Sequence, residues 1–267
     1  MTQQITSLES VLRQDRGVVL AGVVGVAAVA WGYTVYLAWD MGGGMAMGPS
    51  LAMPQTAAWG AVDFILMFVM WAVMMVAMMV PTAAPMILMF AKVNRTRRDR
   101  ERPFIPTGVF LSGYVIIWSA FALLATLAQW GLHSASLLSP MMVSNSPILG
   151  GALLLGAGVF RWSPLKYACV TQCRTPMGFI MTEWREGARG ALLMGLKHGT
   201  YCLSCCWVLM ALLFVLGVMN LLWIAALAAF VLIEKVLRPG PTGNAVSWVA
   251  GFGLVVWGTW TMVTGVI

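Results

Sequence analysis

The segment Lys197-His198-Gly199-Thr200-Tyr201-Cys202-Leu203-Ser204-Cys205-Cys206-Trp207 holds three of the chain's five cysteines and one of its two histidines. At about 100° per residue, a helix sets His198, Cys202 and Cys205 within about 60° of one another, with Cys206 just off that stripe. An imidazole and two or three thiols on one face, where an apolar run begins, form a donor set for a soft metal ion. Cysteine is also an ordinary small buried residue, and that packing role stands beside the metal one. The other two cysteines, Cys169 and Cys173, fall in a segment that begins with Ser163 as a helix N-cap and Pro164 at the first helical position. A short helix from Ser163 to Arg174 places them one turn apart on one side. If it folds back on the 198–206 face, four or five thiols and His198 converge.

Methionine supplies a second soft-ligand group. The chain contains 21, eight of them between Met67 and Met89. On a helix, Asp63, Met67, Met70, Met74 and Met78 fall within about 80° of arc, flanked by Met75 and Met79. Thioethers favour Cu(I) over hard cations and need no deprotonation, so they work at an oxidising surface. Methionine also fills irregular packing, which explains such a stripe without any ion. Packing accounts less well for Met41, Met45, Met47 and Met53, set in a glycine-rich loop with little apolar surface to bury.

These residues must be positioned by membrane helices. The chain has 267 residues, 60% hydrophobic and 9% charged, with a mean hydropathy of +0.86; a soluble domain carries about 25% charged residues. Apolar runs near the roughly 20 residues needed to cross a bilayer recur along most of its length. The expected fold class is all-α: a polytopic bundle of about seven transmembrane helices after a polar N-terminal tail at 1–16. The bundle occupies 17–267, with a Cys-containing amphipathic segment at 163–197. Spans are expected near 17–37, 58–80, 107–131, 148–162, 200–219, 221–237 and 245–266, the second broken or kinked by Pro81 and Pro85. The main alternative for the fifth is one long tilted helix over 190–219.

Net charge is +7, but the basic residues sit in short loops between spans rather than in a nucleic-acid-binding stretch. With seven spans and a cytoplasmic N-terminus, all sixteen Lys and Arg lie on or beside the cytoplasmic side, as the positive-inside bias requires. This places the chain in a plasma membrane, expected to be a bacterial inner membrane, with no cleavable signal peptide. A reducing compartment then keeps the thiols free, as ligands or redox groups. Glu234 is expected in an ion pair with Arg238, Lys235 or Lys197, and His133 as a surface residue. No phosphate-cradling glycine motif, haem-attachment motif or nucleophile–base pair is present. No lysine occupies the last span, which excludes a retinal Schiff base.

The runs SPLKYACVTQCRTPMGF, HGTYCLSCCWVLM, FVLGVMNLLW and VLIEK, with FILMFVMWAVMMVAMMVPTAAPM, resemble a bacterial family of metal-binding integral membrane proteins of unknown function. The likeness covers the second span and Ser163 to Lys235. It implies that Cys169, Cys173, His198, Cys202, Cys205 and Cys206 are the metal-binding positions. The expected function is binding of a soft metal, Cu(I) first and zinc second, for transport, delivery or insertion into a partner. That partner is a metallochaperone or another membrane subunit, with an oligomer also open. Two other readings are an accessory subunit of a membrane complex that uses glycine-rich faces as contacts, and a thiol redox protein. An enzyme is the less favoured class.

Overall fold

A computed structural model describes residues 2–42, 59–98, 105–135, 146–237 and 240–265. The elements within them are all helices: α1 (Thr2–Gly42), α2 (Ala61–Arg98), α3 (Thr107–Ser134), α4 (Pro147–Phe160), α5 (Pro164–Arg174), α6 (Pro176–Glu183), α7 (Gly187–Ala211), α8 (Leu213–Leu216), α9 (Leu221–Val236) and α10 (Pro241–Thr264). The polar residues expected as a tail are helical from Thr2 and continue directly into the first apolar run.

Among the described residues, five segments are long and apolar enough to cross a membrane: Arg16–Trp39, Ala61–Arg97, Thr107–Ser134, Gly187–Leu216 and Gly243–Thr264. A sixth results if α4 and α5, bent by 66° at their junction, count as one broken span. The expected fourth and sixth spans correspond to α4 and α9, of 14 and 16 residues. At 1.5 Å per residue these rise only about 21 and 24 Å, against a hydrocarbon core of about 30 Å. Apolar side chains such as Val24 and Val29 on α1, and Val249, Phe252 and Val263 on α10, face outward, as a membrane helix requires.

Three expectations about helix boundaries are corrected. First, α2 passes through Pro81 and Pro85 and continues to Arg98; the hydroxyls of Thr82 and Tyr114 donate to the Met79 carbonyl in this proline segment, at 2.8 and 3.1 Å. Second, Lys92 to Arg98 belongs to the end of this helix rather than to a loop. Third, α7 starts at Gly187 rather than near 200, so Cys202 lies about four turns into it. The alternative of one long helix is the closer description.

Helix packing is organised in pairs, α3 on α7, α4 on α10, α1 on α2 and α2 on α3, with α5 laid against α7. Two of these crossings depend on glycine. A Cβ at Gly195 would run into the carbonyl oxygen of Phe110 and stand 3.2 Å from Gly113 Cα, so α3 and α7 meet backbone to backbone. Between α4 and α10, a Cβ at Gly258 would stand 2.8 Å from the Gly151 oxygen. These glycine faces are used inside the chain.

Candidate metal-handling site

The short helix carrying Cys169 and Cys173 forms as its sequence requires. The Ser163 hydroxyl accepts from Lys166 N at 3.2 Å, and Pro164 opens the helix. Its far end is tied to α9, where Arg174 Nε donates to the Glu234 carbonyl at 2.7 Å. This lays both cysteines against α7. Cys173 comes beside Cys205, and Cys169 beside Ser204. All five cysteines are free and buried.

Cys202 is the best-held sulfur. Lys235 Nζ, from α9, donates to its Sγ at 2.8 Å and to Thr82 Oγ1 of α2 at 2.9 Å. The Tyr114 hydroxyl, from α3, lies 3.0 Å from the same sulfur. Helices α3, α7 and α9 thus meet at one thiol that is 0% exposed, with α2 joined to it through Lys235. An ammonium beside a sulfur in a low-dielectric interior supplies the charge-assisted hydrogen bond that a thiolate needs. The thiols of Cys205 and Cys206 both donate to the Cys202 carbonyl, at 3.1 and 2.8 Å.

His198 lies one turn before Cys202, among rings. Its centroid is 5.6 Å from Tyr114, 5.6 Å from Phe179 and 6.1 Å from Phe110. It is buried, and among the described residues its Nδ1 has no hydrogen-bond partner. Among the described residues, no three His, Cys, Asp or Glu side chains are arranged to hold a metal ion. The geometry accounts for this: two thiols are directed at a backbone carbonyl, the third is held by Lys235, and the imidazole is caged by aromatic rings. By donor type the group still fits a soft cation, since it offers thiols and a nitrogen in a dry interior. Holding one requires Cys202 to exchange partners.

The methionine stripe is buried throughout. Met67, Met70, Met74 and Met78 are each 3% exposed or less, as are Met75 and Met79. Gln129 orders the upper part, donating to Met67 Sδ at 3.7 Å and accepting from Trp71 Nε1 at 2.6 Å. The Met79 carbonyl, bonded to Tyr114, links the lower part to the thiols. Asp63 has a local role: its Oδ2 accepts from Gly60 N at 2.9 Å at the start of α2. The side chain of Met41, and Met45, Met47 and Met53 entirely, lie outside the described residues.

Sequence reasoning missed the basic residues that fold inward. Arg161, Lys166 and Lys235, expected on or beside the cytoplasmic side with the other basic residues, are 5%, 2% and 7% exposed. Among the described residues, Glu234 pairs not with Lys235 or Lys197 but with Arg161 Nη2 at 2.7 Å and with Lys166 Nζ. Ser247 completes the group. Lys197 pairs with Glu183 instead, at 2.6 Å, and Arg238 lies outside the described residues. The signal was available in the run Val231-Leu232-Ile233-Glu234-Lys235-Val236: two ionisable residues within an apolar helix are functional candidates by default. His133 is half-buried against Trp59, with centroids 5.7 Å apart.

Compared with known proteins, the chain matches a family model described as PpoB2, copper chaperone, over residues 68–261. The match takes in most of α2, all five cysteines, His198, Lys235 and nearly all of α10. No curated protein and no solved structure matches it. Where the sequence alone pointed to a metal-binding family of unknown function, the family is one concerned with copper. Since the match spans well over half of its length, the chain belongs to the PpoB2 family of copper chaperones.

Proposed function

We propose that this protein carries Cu(I) within a bacterial inner membrane and delivers it to a partner protein. Methionines receive the ion at the outer side, and Cys202, Cys205 and Cys206, with Cys173, Cys169 and His198, hold it before release. The orientation that goes with this reading is the seven-span one with a cytoplasmic N-terminus, in which the short helices α4 and α9 are also embedded. The observation that carries the proposal is continuity. The buried stripe Met67, Met70, Met74 and Met78 ends at Met79, whose carbonyl shares the Tyr114 hydroxyl with the sulfur of Cys202. Soft donors therefore follow one another through a dry interior, where a hard cation finds few oxygen ligands.

At the thiols, Cu(I) exchanges with the Lys235 ammonium, one monovalent cation replacing another at the sulfur. Thr82 Oγ1 and the Tyr114 hydroxyl remain to receive the displaced Nζ. The accessory-subunit reading is less well supported, because Gly151, Gly195 and Gly258 are already engaged between helices of this chain. Redox chemistry at the thiols is tested by trapping them in cells; thiols that stay reduced under all growth conditions would set it aside.

The decisive experiment loads the full-length protein in detergent with Cu(I) under reducing conditions, beside a variant with Cys202, Cys205 and Cys206 all changed to Ser. Wild type should retain copper against a competing Cu(I) chelator, and the variant should lose it. Equal copper in both, or none in either, ends this role for the thiols. Parallel loading with Zn(II) tests whether the site is selective for the softer ion.

A further inference from the structure

Where α4 turns into α5, a cavity of about 280 Å³ opens, lined by Arg161, Lys166, Arg174, Tyr167, Asn244 and Trp248 among others. This is roughly the volume of nine water molecules. Its lining includes no cysteine. Two helices begin at its wall: Ser163 and Pro164 open α5, and Asn244 lies in the first turn of α10. Helix N-termini concentrate positive potential, which favours an anion, although the wall's own amides are already bonded, Lys166 N to Ser163 Oγ, Tyr167 N to Ser163 O and Asn244 N to Gly240 O.

The side chains add to that field. Of the three cations at the wall, Arg161 and Lys166 share the single carboxylate of Glu234. Among the described residues, the charge of Arg174 faces carbonyl oxygens, of Glu234 and Gly243. Arg161 is 95% buried, with its guanidinium 4.5 Å over the Phe230 ring; its Nε and Nη2 are bonded, but among the described residues its Nη1 has no hydrogen-bond partner. An unpaired guanidinium N–H in a buried, positively charged wall is costly unless a ligand satisfies it. The rim is aromatic: Trp162 stacks on Trp248 at 5.4 Å, with Tyr167 and Trp248 more than half exposed. Tryptophan and tyrosine of this kind populate the headgroup level of a bilayer.

We propose that this cavity binds a phosphate group, with Arg161 Nη1, Lys166 and Arg174 as its charged partners and Asn244 as a neutral one. A phospholipid headgroup and free phosphate share this chemistry. The test uses the full-length, delipidated protein in detergent, with native mass spectrometry and thermal melting, and adds phosphatidylglycerol, phosphatidylcholine or inorganic phosphate. Two variants accompany wild type. Arg161→Lys retains the pairing charge and removes the free N–H. Asn244→Glu places a carboxylate in the cavity at a helix N-terminus, where an acid suits the fold.

Retention of one phosphatidylglycerol per chain, at least tenfold over phosphatidylcholine and reduced at least tenfold in both variants, supports the site with lipid as its source. Stabilisation by millimolar inorganic phosphate, lost in both variants, supports the site with the free anion as its source. Equal retention of the two lipids with no effect of phosphate overturns the proposal, as does binding that survives in a folded Asn244→Glu protein.

Discussion

Replacing Glu234 with Gln keeps the side chain's shape and removes its charge, leaving two buried cations without a counter-ion. Arg161 Nη2 stands 2.7 Å from Oε1, and both side chains are 3% exposed or less. At an effective dielectric of about 20, a unit pair at that distance attracts by about 6 kcal/mol. The amide oxygen of Gln still accepts hydrogen bonds, so the loss should come nearer the roughly 3–5 kcal/mol typical of a broken buried pair. At about 2–4 °C per kcal/mol for a chain of this size, Tm falls by about 6–20 °C. Tryptophan fluorescence during heating in detergent measures it. A Glu234→Gln, Lys166→Met double variant should recover at least half of the loss, because one stranded cation has been removed. Glu234 and Lys235 are neighbours on α9, one pinned to α5 and α10 and the other to Cys202. Losing the first pin should therefore speed maleimide labelling of Cys202. A Tm change under about 2 °C, or a double variant less stable than the single one, would refute the reasoning.

Three further outcomes follow from the packing. Changing Met70 and Met74 to Leu conserves volume and should cost less than about 1.5 kcal/mol each; if the stripe conducts copper, loading of the thiols slows while Tm barely moves, and unchanged loading kinetics reduces the stripe to packing. Tyr114→Phe removes the hydroxyl shared by Met79 O and Cys202 and should cost about 1 kcal/mol, read as a Tm drop of a few degrees, with no drop counting against that bond. Gly195→Ala forces a methyl onto the Phe110 carbonyl and should destabilise by about 1–3 kcal/mol or more, while Gly156→Ala, with open space around its Cβ position, should be neutral or slightly stabilising.

The parts of this fold legible in the sequence are those set by local rules. Ser163 and Pro164 announced α5 because a cap and a fixed φ act within a single turn, and the 3.6-residue period correctly placed Met67, Met70, Met74 and Met78 on one buried face. The boundaries that failed were those where tertiary contacts override a local breaker. Pro81 and Pro85 remove backbone donors from α2, yet the helix continues where Thr82 and Tyr114 bring hydroxyls to that segment. Tyr114 comes from another helix, and a sequence pattern cannot anticipate which helix will pack there.

The site illustrates the same division at the level of charge. The convergence of Cys173 on Cys205 depended only on α5 folding back, which the spacing allowed. That Lys235 would reach Cys202, 33 positions away, could not be read from spacing. A positive charge beside an apolar run has two sinks, the headgroup layer or a buried partner, and the positive-inside rule considers only the first. Lys235 takes the second because Glu234, its neighbour about 100° round α9, is already claimed by Arg161 and Lys166. With its adjacent carboxylate engaged, the ammonium finds other acceptors within the bundle, the Cys202 sulfur and the Thr82 hydroxyl. The ion cluster and the thiol cluster are thus two ends of one charge arrangement. This is why changing Glu234, a residue that touches no sulfur, should alter how Cys202 reacts.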